Sequence, residues 1–107
     1  MNDLLKVVVT VPEADADMLR EVIGKLGAGA IGNYSYCSFS SKGIGRFIPT
    51  DGANPTIGQV GKSEEVAEER IEVTCSKEIL DKVITTIKSV HPYEEPVIDI
   101  YQLLTDI

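Results

Sequence analysis

Apolar side chains recur along this chain with two different periods, and the switches between them mark out the elements. In residues 4–11, Leu5, Val7, Val9 and Val11 fall on alternate positions, the period of a half-buried strand, and Pro12 ends the run. Residues 13–26 instead set Met18, Leu19, Val22, Ile23 and Leu26 at helical offsets, with Glu13, Asp15 and Asp17 near the end where the helix dipole favours negative charge. Gly27 and Gly29 suit a helix stop. Residues 31–39 alternate small and aromatic side chains and predict a second strand. Residues 43–49 carry Ile44, Phe47 and Ile48 between glycines, and either continue that strand or form a brief hairpin with it.

Residues 50–63 hold Asn54, Pro55 and three glycines with no period, the composition of a long loop. In residues 66–75, Ile71, Val73 and Cys75 share one face while Arg70, Glu72 and Thr74 share the other, which predicts a third strand. Ser76 is placed to cap a helix running to about Val90, on which Ile79, Leu80, Val83, Ile84 and Ile87 repeat the spacing of the first. Residues 97–104 close the chain as a strand. The order is β-α-β-β-α-β, an α+β ferredoxin-like sandwich with an antiparallel sheet and two helices on one face.

Two helices cover one face of such a sheet. Val97, Tyr101 and Leu103 fall opposite Ile98 and Ile100, and Val8, Tyr34 and Tyr36 fall opposite the expected core side of their own strands. The helix-free face is therefore expected to be apolar, and apolar faces of that size mark association surfaces. A homo-oligomer is the expectation.

Composition narrows the setting. With 107 residues and 43% hydrophobic content, the chain has the size of one domain, 1–107, able to bury a core without disulfides. No apolar run approaches the roughly 20 residues that span a bilayer, and no basic-then-apolar leader opens the sequence, so a cytoplasmic protein is expected. Cys37 and Cys75 have no zinc or redox spacing and are expected as reduced thiols. A formal net charge of -7, with scattered basic residues, argues against nucleic acid and anionic membrane surfaces as partners.

Chemistry concentrates in His91-Pro92-Tyr93-Glu94-Glu95-Pro96, where two prolines stiffen a turn that carries the only histidine. His91 with Glu94 or Glu95 offers one nitrogen and one or two oxygens to a divalent cation, and Cys37 or a carboxylate from a neighbouring copy can complete such a set at an oligomer interface. The alternative is structural: His91 caps the second helix, Tyr93 is a packing anchor, and the glutamates are solvated or pair across subunits. Gly43, Gly45 and Arg46 form a second candidate, since glycines let backbone amides approach an anion and the guanidinium supplies charge; the same glycines also suit a bend in a hairpin. The candidate ligand-binding set is Gly43, Gly45, Arg46, His91, Tyr93 and Glu94.

No catalytic constellation assembles. Cys37 lacks the helix N-terminus or local positive charge that activates a thiol, and Ser35, Ser38, Ser40 and Ser41 have one histidine between them and no orienting carboxylate. Gly27, Gly29 and Gly32 spell the dinucleotide fingerprint in the wrong context, after a helix and before a strand. Gly61-Lys62-Ser63 ends like a phosphate loop, but Thr56 stands where its first glycine belongs.

Taken in order, Val9-Thr10-Val11-Pro12, Gly32-Asn33-Tyr34-Ser35-Tyr36-Cys37-Ser38-Phe39, Gly43-Ile44-Gly45-Arg46-Phe47-Ile48-Pro49 and the His91–Pro96 turn resemble the PII/CutA-like domain inserted in YqfO-type proteins, relatives of the NGG-interacting factor. The turn is also similar to one near the end of CutA, the trimeric divalent-cation tolerance protein of the same fold, from which the middle of this chain departs. In YqfO-type proteins several histidines of the flanking domains hold a metal pair; one histidine and no flanking domain here imply a stand-alone, non-enzymatic module. The resemblance implies trimer building, and binding of a small ligand, divalent cation or protein partner at subunit clefts. The alternative is a metal-dependent hydrolase or an accessory subunit of one.

Overall fold

The valine alternation of strand β1 (Leu4–Pro12) places Val7, Val9 and Val11 in the core, each at 1% exposure or less, and the rest of the fold packs against that row. The structure is a computed structural model and describes residues 3–107. Helix α1 (Glu13–Lys25) follows β1 directly, with Glu13 and Asp15 in its first turn and Lys25 in its last, both favourable to the helix dipole. Strands β2 (Phe39–Phe47) and β3 (Glu64–Ser76) form a long hairpin, a short 3-10 turn covers Lys77–Ile79, and helix α2 (Leu80–Val90) leads to strand β4 (Ile98–Gln102). The sheet order is β2-β3-β1-β4 with every neighbouring pair antiparallel.

One cluster joins the layers. Val7, Val9 and Val11 meet Ile71, Val73 and Cys75 of β3, Leu19 and Ile23 of α1, and Val83 and Ile87 of α2. Ile98 and Ile100 of β4 pack against its edge. Burial of each large aliphatic side chain contributes about 1.5–3 kcal/mol, so this cluster is the main stabilising term. Arg20 of α1 fastens the hairpin to the helix layer: Nη1 donates to Glu69 Oε1 at 2.7 Å and to Ser40 Oγ at 3.1 Å.

Two expectations need correction, and one left open is decided. Residues 31–38 are not a strand: Gly29 and Gly32 take φ of 84° and 55° and even Tyr36 takes 59°, which curls the chain, and only an isolated Ile31–Tyr34 bridge forms. The strand begins at Phe39 and runs unbroken through Gly43 and Gly45 to Phe47, so the 43–47 part of the 43–49 segment continues it and Ile48 and Pro49 open the loop. Ser76 makes no side-chain cap bond, because β3 extends through it and α2 starts only at Leu80.

The helix-free face is also less apolar than expected. Register sets Phe39, Glu72, Val8 and Asp99 in one row across the four strands, so that acidic and apolar side chains alternate. Tyr34 and Tyr36 lie in the curled segment, and Tyr36 packs on Gly24 of α1. Phe39 at 69%, Val97 at 59% and Tyr101 at 50% exposure remain uncovered there, whereas Val8 is buried at 2%. No helix among the described residues is long and apolar enough to cross a membrane.

Candidate functional site

Register creates an overhang. Glu68 lies opposite Pro12, the last residue of β1, so Glu64 to Ala67 of β3 have only β2 as a neighbour. The 91–97 segment between α2 and β4 fills part of the space that β1 leaves. His91 ends α2 with its amide on the Ile87 carbonyl at 2.9 Å and extended backbone (φ -72°, ψ 132°), as expected before a proline. The residue is 7% exposed. Nδ1 lies 3.1 Å from the Tyr93 amide and so accepts from it; the neutral ring then carries its proton on Nε2 and donates to the Thr10 carbonyl at 2.8 Å.

Tyr93 is aimed by that turn into the overhang. Its ring lies 5.1 Å from His91 and meets Phe47 of β2 edge-on at 5.7 Å. Its hydroxyl donates to Glu68 Oε2 at 2.5 Å. Burial, then the Glu68 hydrogen bond and charge, raise the phenol well above its ordinary value, with Asp15 and Glu64 adding to the effect, so Tyr93 is a fixed neutral donor.

The loop of residues 48–63 folds back over this corner. Thr56 Oγ1 donates to the Pro92 carbonyl at 2.6 Å, and the Asn54 amide donates to Glu94 Oε1 at 3.1 Å. Between loop, hairpin and turn lies a cleft of about 350 Å³. Gly45, Phe47 and Glu68 form its sheet side, Tyr93, Glu94 and Val97 its turn side, and Ile48, Ala53 and Ile57 its loop side.

The structure brings Gly45, Arg46, Tyr93, Glu94 and Glu95 to this one cleft, uniting the two candidate regions. His91 stands behind Tyr93 with both nitrogens engaged, and a metal on Nδ1 would displace the Tyr93 amide. Gly43 does not line the cleft, and a Cβ on it would meet nothing within 4 Å. Cys37 lies elsewhere, in a second cleft of about 270 Å³ beside Asp17, Arg20 and Tyr36. The set His91, Glu94, Glu95 and Cys37 is thus not assembled within one chain, and no group of three or more His, Cys, Asp or Glu placed to hold an ion occurs among the described residues. Arg46 is committed to Glu65, Nε to Oε2 at 3.2 Å.

Sequence reasoning passed over Glu68, Phe47 and Thr56. Glu68 shares its strand face with the charged Glu64, Arg70 and Glu72 and reads as solvated; only the fold, which sends Tyr93 to it from 25 positions away, distinguishes it. Phe47 and the loop signalled structure but not which segment they would meet.

No family model matches the chain. It is 48% identical over 105 residues to the Halalkalibacterium halodurans protein named GTP cyclohydrolase 1 type 2 homolog, covering 98% of this chain and 28% of that one. The Bacillus subtilis protein of the same name is 48% identical over 100 residues, 94% of this chain and 27% of its own length. The chain therefore spans a little over a quarter of the length of these curated relatives. Among solved structures, a Bacillus cereus protein related to NIF3 superposes with a TM-score of 0.83 at 43% identity, over 95% of this chain and 26% of that one. CutA1 of Ehrlichia chaffeensis, a divalent ion tolerance protein, superposes at 0.71 with 16% identity, over 100% of this chain and 87% of its own. GlnK of B. subtilis follows at 0.61 with 19% identity, over 94% and 84%.

The fold is that of CutA and PII proteins. At such low identity the likeness reaches the βαββαβ architecture alone, and its ferredoxin-like sheet with two helices on one face is as expected from periodicity.

Proposed function

We propose that this chain is a non-enzymatic module of the CutA and PII kind that associates with copies of itself and holds a small ligand, a divalent cation or a protein partner in the cleft at the hairpin tip. The observation that carries it is the uncovered sheet face, where Phe39, Val97 and Tyr101 stay half or more exposed although helices shield the other side. The outer edges of β2 and β4 add to that support, since backbone donors and acceptors there have no strand partner among the described residues. The resemblance to CutA favours a trimer. The match to part of the NIF3-related protein supports reading the module as the counterpart of the domain inserted in YqfO-type proteins. The net charge of -7 leaves nucleic acid and anionic membranes as unfavourable partners, in keeping with a cytoplasmic role.

Light scattering on the purified chain tests the association. A mass of several chains is expected, and a monomer at micromolar concentration would overturn it. Melting shifts across divalent cations and nucleotides then sort the ligand classes.

The second reading, a metal-dependent hydrolase or its accessory subunit, is favoured by the relatives' name of GTP cyclohydrolase 1 type 2 homolog. Metal-dependent phosphoester or GTP turnover by the purified chain would reverse the order of the two readings.

A further inference from the structure

Glu68 is the one buried carboxylate among the residues that line the cleft, at 7% exposure. Oε2 accepts from the Tyr93 hydroxyl. Oε1 has no donor among the described residues, and no lysine, arginine or histidine pairs with the side chain. No buried side-chain oxygen among the described residues lacks a partner, so Oε1 keeps contact with water in the cleft, and a cation there can take the place of that water beside a largely buried carboxylate. Oε1 lies against Gly45, where a Cβ would overlap the carboxylate, so the missing side chain makes room for Glu68 itself, and both residues line the cleft.

The remaining walls select the chemistry. Of the charged side chains that line the cleft, Glu68, Glu94 and Glu95 are negative, and the lone cation, Arg46, is paired with Glu65. Phosphates and carboxylates are therefore repelled. A divalent metal is poorly served too, because no group of three or more ligating side chains occurs among the described residues. Phe47, Ile48 and Val97 give the rest of the cleft an apolar lining, and its volume suits a small organic molecule.

We infer that Glu68 receives the charged head of a small organic cation, a primary ammonium or a guanidinium on an apolar stem, whose stem lies against Phe47, Ile48 and Val97. The cation donates to Oε1 while Tyr93 holds Oε2, so the carboxylate is satisfied from both sides. This deepens the reading of the cleft as a ligand site and rests on it.

The test is a titration of the full chain followed by amide NMR at constant ionic strength, with butylammonium and 2-phenylethylammonium as probes. Butanol, 2-phenylethanol and butyrate serve as neutral and anionic counterparts, and magnesium and inorganic phosphate as competing classes. The ammonium probes are expected to shift the amides of Gly45, Glu68 and Tyr93 saturably, the alcohols and butyrate much less. Glu68→Gln, close in shape, is expected to weaken the ammonium probes at least about tenfold, the loss of one charge-assisted bond. Equal binding of the alcohols or butyrate overturns the inference on the wild-type chain, whether or not the variant folds, as does undiminished binding to a folded Glu68→Gln. Shifts at these amides from magnesium or phosphate alone overturn the inference and leave the cleft as a ligand site. Silence from every probe overturns both.

Discussion

His91 and Thr10 join the end of α2 to the end of β1 through a single 2.8 Å hydrogen bond, imidazole Nε2–H to backbone carbonyl. The other ring nitrogen accepts from the Tyr93 amide, so one side chain sets both the helix exit and the entry of the tyrosine into the cleft. His91→Ala leaves two backbone groups without partners at a buried position and is expected to cost about 1–3 kcal/mol. Urea unfolding measures the loss, and hydrogen exchange at the Tyr93 amide should quicken with it. An unchanged midpoint would show that the ring is dispensable.

Tyr93 makes stability fall at high pH. Its phenol titrates from an ordinary value of 10.0 when unfolded and is raised in the fold by burial and by Glu68. Below the unfolded value both states hold the proton and the stability is fully present. Above it the unfolded state loses its proton first and binds fewer than the native state, so stability declines as pH rises toward the folded value. Denaturant midpoints between about pH 9 and 12 should fall for the wild type and fall less for Tyr93→Phe, whose own midpoint at pH 7 is lower because Glu68 has lost its donor.

Gly24 lies inside α1, where alanine would ordinarily stabilise by up to about 1 kcal/mol. Here a Cβ would overlap the Tyr36 ring, and Tyr36 is held by a backbone φ of 59°. Gly24→Ala is expected to destabilise by about 1–3 kcal/mol through overpacking. In a Tyr36→Ala background the same substitution should become neutral or stabilising, and a double-mutant cycle in urea reads the reversal.

Cys75 is buried at 3% exposure in the core, and desolvation pushes its thiol up, whereas Cys37 is part-exposed beside the second cleft. A thiol reagent at neutral pH is expected to label Cys37 in the native chain and Cys75 only as fast as the fold opens. Equal native rates for the two would mean that β3 does not sit in the core as described. Cys75→Ser should cost about 1–3 kcal/mol, since a hydroxyl there is buried without a partner.

Much of the architecture was legible because burial imposes a period. Leu19, Ile23, Val83 and Ile87 recur at helical spacing and all reach the core; Val7, Val9, Ile71 and Val73 alternate and do the same. The curl of residues 31–38 was not legible, because alternation of small and aromatic residues also suits a strand and the positive φ angles that break it are visible only in the backbone. The mixed character of the open face was missed for a related reason. Period two says which residues share a face, but the row Phe39, Glu72, Val8 and Asp99 exists only once four strands are in register.

The one-dimensional pattern thus determined the kind and order of elements, because each must hide one face from water and its spacing records which. It also set the His91 to Pro96 turn apart as a candidate region, since that stretch holds the chain's one histidine and two prolines. Which partners that turn would meet was decided by the fold alone. Glu68, Gly45 and Phe47 join Tyr93 only because β1 stops at Pro12 while the hairpin runs on. Side-chain hydrogen bonds and cleft walls depend on distances between segments far apart in the chain, and those distances are set by strand register and layer packing, which leave no local signature.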